Sequence, residues 1–148
     1  MQFQTTARRY CEGRHSSAPG HITWYTDSGD AVEKSTMLID LSRLGVRVLV
    51  DEKLEKGQPV FLTIPMPLAL RAFDKRSSSY HVWGVVRFVG LNMSEDGAVK
   101  GYQLGIALIG DSEPPGYFAD LRKRYDLKPF PSKEGFWQTR EIIQIGGR

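Results

Sequence analysis

The sequence predicts a mainly β protein: six antiparallel strands in a barrel or sandwich, followed by one C-terminal α-helix. Three observations carry this. Short runs of alternating apolar and polar residues recur at regular spacing between His21 and Ile109, with turn-rich joints between them. After Gly110 the pattern changes: Pro114-Pro115 precedes a stretch in which Phe118, Leu121 and Tyr125 share one helical face. The length of 148 residues, with 41% hydrophobic and 25% charged side chains, suits one soluble globular domain with a single core.

Each element has its own warrant. Residues 1–20 read as an irregular arm, because Gly13, Ser16, Ser17, Pro19 and Gly20 discourage regular structure. From His21, Ile22 and Trp24 alternate with Thr23 and Tyr25, and Asp27-Ser28-Gly29-Asp30 is a strong turn signal. Ala31 to Leu41 is the returning strand, and a third strand runs from Gly45 to about Val50, with Val46, Val48 and Val50 on one face. A charged connection closed by Gly57 leads to Val60-Phe61-Leu62-Thr63-Ile64, which Pro65 and Pro67 halt. Residues 68–73 fit a helical turn or an irregular strand equally well. Tyr80 to Leu91 places Val82, Val86 and Phe88 on one face and Trp83, Val85 and Val89 on the other, the signature of a central strand. Ser94-Glu95-Asp96-Gly97 turns it back into a strand with Tyr102, Leu104, Ile106 and Leu108 on one face. The predicted organisation is therefore an arm over residues 1–20, a β-barrel over 21–112, and a helix with its tail over 113–148. That tail holds Phe136, Trp137, Ile142, Ile143 and Ile145, too apolar for a free solvated end.

Between the second and third strands lies the stretch with most chemistry. Asp40-Leu41-Ser42-Arg43-Leu44-Gly45 spaces a carboxylate, a hydroxyl and a glycine as D-x-S-x-x-G. Residues two apart on an extended backbone point to the same side. Gly45 permits either a close approach or a positive φ. Asp40 and Ser42 could then receive the N–H edge of a guanine-like ligand. The same residue types are also ordinary turn-formers, and by themselves require no ligand.

Charge distribution narrows the function. The formal net charge is +3, and the basic excess sits at the ends. Residues 1–20 carry Arg8, Arg9 and Arg14 against Glu12; residues 21–113 hold ten basic and twelve acidic side chains; residues 114–148 hold seven basic and four acidic. A basic arm beside a near-neutral body suits a compact phosphorylated ligand better than a long duplex, so no DNA partner is expected. A nucleic-acid-binding barrel would also show an aromatic row on one strand face. No apolar segment reaches the length of a membrane span, and the N-terminus lacks a signal-peptide core. The lone Cys11 excludes an internal disulfide framework and fits a reducing cytoplasm.

Other constellations lead nowhere further. Cys11, His15 and His21 lack zinc-site spacing, so no metal is expected. Ser42 is not in a nucleophile elbow, Cys11 has no evident base, and no phosphate-binding glycine loop is present. No enzyme and no cofactor are expected. Trp24, Trp83 and Trp137 read as core or interface residues.

These residues together resemble the PilZ domain, the bacterial receptor module for cyclic di-GMP. The resemblance covers most of residues 8–125: an arginine arm, two strands, and the Asp40–Ser42–Gly45 turn. It continues through the Leu54-Glu55-Lys56-Gly57-Gln58-Pro59-Val60 connection and the strands Trp83-Gly84-Val85-Val86-Arg87-Phe88 and Tyr102-Gln103-Leu104-Gly105-Ile106-Ala107-Leu108. It implies a six-stranded antiparallel barrel with the ligand at its rim. It further implies an arm whose guanidiniums grip phosphates and guanine faces, while Asp40 and Ser42 read a guanine edge beside Gly45. Arginine suits that work because its planar fork binds phosphate bidentately and stacks on purines. The family's R-x-x-x-R is absent from Arg8-Arg9-Tyr10-Cys11-Glu12-Gly13-Arg14. Arg9 and Arg14 are the nearest pair, with Gly13 adding slack and Glu12 an opposing charge.

Two functions follow. In one, cyclic di-GMP orders the arm bearing Arg8, Arg9 and Arg14 against Asp40, Ser42 and Gly45, and the ordered surface engages a protein partner. In the other, the domain has lost its nucleotide and acts as a protein–protein module through the exposed barrel and the apolar tail at Phe136-Trp137.

Overall fold

A computed structural model of the chain describes residues 18–42, 44–71, 78–128 and 139–142. The alternating segments become β1 (Ala18–Tyr25), β2 (Ala31–Leu41), β3 (Gly45–Val50), β4 (Pro59–Ile64), β5 (Tyr80–Met93) and β6 (Val99–Gly110). They close into a barrel in the order β1-β2-β3-β6-β5-β4, every neighbouring pair antiparallel. The barrel thus consists of two consecutive meanders, β1–β2–β3 and β4–β5–β6. Two seams join them, β3 against β6 and β1 against β4.

The alternation read from the sequence sets the inner face. Val46, Val48 and Val50 of β3 point inward with Leu104, Ile106 and Leu108 of β6, all at most 5% exposed. Fully burying one such aliphatic side chain contributes about 1.5–3 kcal/mol. Ile22, Leu38, Leu62 and Val82 from the other strands complete the core. β1 begins at Ala18, ahead of the first legible alternation, because Pro19 and Gly20 pair with Met37 and Thr36 of β2. The ambiguous stretch at residue 68 forms a 3-10 turn, Leu68–Leu70. Arg71 follows it, 3% exposed, donating from Nε to the Met66 carbonyl at 2.9 Å and from its second terminal nitrogen to the Ser78 carbonyl at 2.9 Å.

β5 departs from the predicted facing. Val86 pairs with Ile106 and Phe88 with Gly105, so Arg87 is an extra residue on β5. Such a bulge reverses the facing beyond it. Val82 and Val86 face inward as expected, but beyond Arg87 it is Val89 that packs on the core, while Phe88 is 53% exposed.

The predicted C-terminal α-helix over residues 117–125 does not form, and no α-helix occurs among the described residues. Instead, a 3-10 turn at Tyr117–Ala119 is followed by β7 (Arg124–Leu127), which pairs with β8 (Thr139–Ile142) in a separate two-stranded sheet. Local chemistry stops the helix after one turn. Asp120 is extended (φ −153°, ψ 101°), and its carboxylate accepts from the Arg122 backbone N–H at 3.0 Å and from Arg122 Nε at 3.2 Å. A short polar side chain bonded to backbone two residues on competes with helix continuation. The apolar residues are buried all the same, against the outside of the barrel: Tyr117 and Tyr125 pack on Trp83 and Val85, joined by Leu121, while Phe118 is 53% exposed. Arg124 Nε, donating to Glu55 Oε1 at 2.7 Å, ties β7 to the connection before β4. Phe136 and Trp137 lie outside the described residues.

Candidate functional site

The turn between β2 and β3 is set by backbone bonds. The Ser42 N–H donates to the Gly45 carbonyl at 2.8 Å, and the Leu108 N–H of β6 donates to the Leu44 carbonyl at 2.9 Å. Ser42 is 7% exposed, and its hydroxyl donates to the Gly45 carbonyl at 3.3 Å. With its proton so used, the oxygen retains acceptor capacity. Gly45 meets the first of the two expectations for it. A Cβ there would lie 2.9 Å from the Ile106 carbonyl oxygen, so the glycine lets β3 approach β6. No positive φ is involved.

A second bulge re-aims Asp40. Leu38 pairs with Val48 and Asp40 with Arg47, leaving Ile39 as the extra residue on β2. Leu38 and Leu41 both face the core, and half-buried Asp40 stands opposite exposed Arg47. The register then runs across four strands: Asp40 beside Arg47, Arg47 beside Gly105, Gly105 beside Phe88. Gly105 contributes no side chain; the Phe88 Cβ lies 3.2 Å from where a Gly105 Cβ would be, and the far edge of its ring lies 3.1 Å from the corresponding point at Gly90.

This row borders a pocket of about 470 Å³ that contains Asp40, Ser42 and Gly45 together with Arg47, Arg87, Phe88 and Gly105. It lies across the β3–β6 seam and between the two bulges, which often occur at barrel rims and beside binding sites. Its size falls within the range of small-molecule sites. Two guanidiniums and one carboxylate leave it net positive, an exposed aromatic ring supplies a stacking surface, and Asp40 and Ser42 both accept hydrogen bonds.

Three predicted site residues, Asp40, Ser42 and Gly45, are therefore brought to one pocket. Arg8, Arg9 and Arg14 lie outside the described residues, as do Cys11 and His15. Arg47, Arg87, Phe88 and Gly105 were not singled out from the sequence. Arg47 was within reach, since it alternates outward beside the turn. Arg87 and Phe88 were not, because their facing depends on a bulge. Trp24 and Trp83 are 5% and 7% exposed and pack as interior residues. No helix among the described residues is long and apolar enough to cross a membrane.

No protein-family model matches the chain, and no curated protein matches it. Among solved structures it is similar to the PilZ domain with c-di-GMP of YcgR from Escherichia coli. That likeness has a TM-score of 0.44 and 14% sequence identity, over 66% of this chain and 76% of that one.

Proposed function

We propose that this protein is a cyclic di-GMP receptor, a binding domain of second-messenger signalling in which the ligand is held at the barrel rim. The observation that carries the reading is the rim pocket itself, which combines Asp40 and Ser42 with Arg47, Arg87 and the exposed Phe88. Guanine offers neighbouring N–H donors on one edge, which suits the paired acceptors Asp40 and Ser42. Its flat face suits Phe88 or a guanidinium, and the phosphodiesters of the cyclic dinucleotide suit Arg47 and Arg87. The arm arginines Arg8, Arg9 and Arg14 complete the grip on the phosphates, and ordering of the arm over the ligand changes the surface offered to a partner protein. The proposed role is binding without catalysis.

Titration calorimetry with cyclic di-GMP at two salt concentrations tests the reading. Saturable binding that weakens at higher salt is expected, because the phosphate contacts are screened. Asp40→Ala and Arg14→Ala should each weaken it by about ten- to a hundredfold, the loss of a charge-assisted hydrogen bond of about 1.5–3 kcal/mol. Absence of heat and of any thermal shift at high ligand concentration would overturn the receptor reading.

A further inference from the structure

A second cavity, away from the D-x-S-x-x-G turn, lies where β7 crosses the outside of β5. Its wall is held by the backbone of Gly57: the Gly57 N–H donates to the Val86 carbonyl at 2.7 Å, and the Tyr125 N–H donates to the Gly57 carbonyl at 2.9 Å. Gly57 has φ +91°, and a Cβ there would lie 3.1 Å from the Tyr125 carbonyl oxygen, so only glycine lets β7 sit this close. The open-sided hollow is about 260 Å³, with Val85 and Tyr125 on its apolar side and the exposed Lys56, Arg87, Asp126 and Lys128 on its polar side.

Three cations from three separate segments meet there: the connection before β4, the bulge of β5 and the end of β7. Their convergence is a product of the fold, with no basic run in the sequence behind it. Against them stands one carboxylate, Asp126, whose Oδ1 accepts the Leu127 N–H at 2.8 Å. Among the described residues neither Lys56 nor Lys128 has an ion-pair partner. A concave site with a net charge of this sign, walled partly by apolar side chains, concentrates anions more strongly than an open surface does. The volume lies below the range typical of drug-sized ligands. It accommodates a phosphoryl group, and a whole dinucleotide would extend beyond it.

We infer that this wall pocket is a second anion site, taking the phosphoryl group of a small phosphate or diphosphate on Lys56, Lys128 and Arg87. It shares Arg87 with the proposed nucleotide site, is otherwise lined by different residues, and does not depend on that reading.

The test is a titration of the full chain with inorganic pyrophosphate, and in a second arm with glycerol 3-phosphate, at low ionic strength. Amide resonances are followed by NMR, with sodium chloride matched for ionic strength as the control. Expected are saturable shifts at Lys56, Gly57 and Leu127, in the first arm for an inorganic anion, in the second for an organic ester, or in both. The doubly substituted Lys56→Gln, Lys128→Gln protein should keep its melting temperature and bind at least about tenfold more weakly, having lost two charge-assisted contacts. Shifts confined to the rim residues 40–47, 87–88 and 105–107, shifts that chloride reproduces, or undiminished affinity in the double variant would each overturn the proposal.

Discussion

The two halves of β5 are equally apolar in sequence and differ in everything around them. From Tyr80 to Val86 the strand is covered on both faces: Val82 and Val86 by the core, Trp83 and Val85 by Tyr117 and Tyr125. Beyond Arg87, Phe88, Leu91 and Met93 are 53%, 58% and 48% exposed. The covering is supplied from far along the chain, by the 3-10 turn at Tyr117–Ala119 and by β7. One half of the strand is thereby structural on both sides. The other half is left open and borders the rim pocket through Phe88.

The comparison breaks most directly by truncating one large side chain in each half. Trp83→Ala should cost about 3–5 kcal/mol, as expected for a buried aromatic, read as a lowered urea midpoint. Phe88→Ala should cost under about 1 kcal/mol and act on ligand binding instead. Equal losses from the two would mean that the halves are not distinguished in the way their burial indicates. The covering itself is probed by Gly57→Ala, which forces a side chain into a left-handed backbone and against β7. It should cost about 1–2 kcal/mol and increase quenching of Trp83 fluorescence as β7 loosens.

A smaller effect is expected at Tyr117. Its hydroxyl is buried and has no hydrogen-bond partner among the described residues, although the Tyr25 backbone is near enough to ease its burial. Burial raises the phenol above its ordinary value of 10.0, and the nearby positive charge of Arg124 only partly offsets this. The unfolded chain therefore releases this proton near pH 10 while the folded chain still holds it, so stability falls as pH rises from there through the folded value. Tyr117→Phe should leave stability at pH 7 unchanged or raised by up to about 1 kcal/mol, since an unsatisfied polar group is removed. It should also flatten the alkaline decline in denaturant melts between pH 9 and 11. A variant that keeps the full decline would place its origin elsewhere.

How far each element was legible follows from what determines it. The six strands could be read closely because the period-two alternation of Val46, Val48 and Val50, or of Leu104, Ile106 and Leu108, is itself the record of which face is buried. The turn at Asp40–Gly45 could be read for its residue types. Whether Gly45 serves a positive φ or a close approach could not, since that depends on where the Ile106 carbonyl lies. The bulges at Ile39 and Arg87 were not legible either, because an extra residue exists only relative to a partner strand. The helix prediction failed for a related reason. Leu121 and Tyr125, four apart, suit a helical face, yet here Leu121 is half-buried from an irregular turn and Tyr125 buried from β7, both against the flank of β5. Asp120 carried the contrary local signal.

The two-meander construction of the barrel has a kinetic consequence. Each meander closes through neighbours in sequence. The β3–β6 seam, by contrast, joins Gly45 with Ala107 and Val50 with Tyr102, so its formation waits on a long loop closure. Contacts of this kind limit how fast such a barrel assembles, and parting along them is a route by which it reopens. The rim pocket draws Asp40 and Arg47 from one meander and Arg87 and Phe88 from the other. Any molecule seated there spans the seam and acts as a clasp. Its residence time then bears on the lifetime of the closed barrel, and amide-proton exchange along β3 and β6 becomes a clock for occupancy.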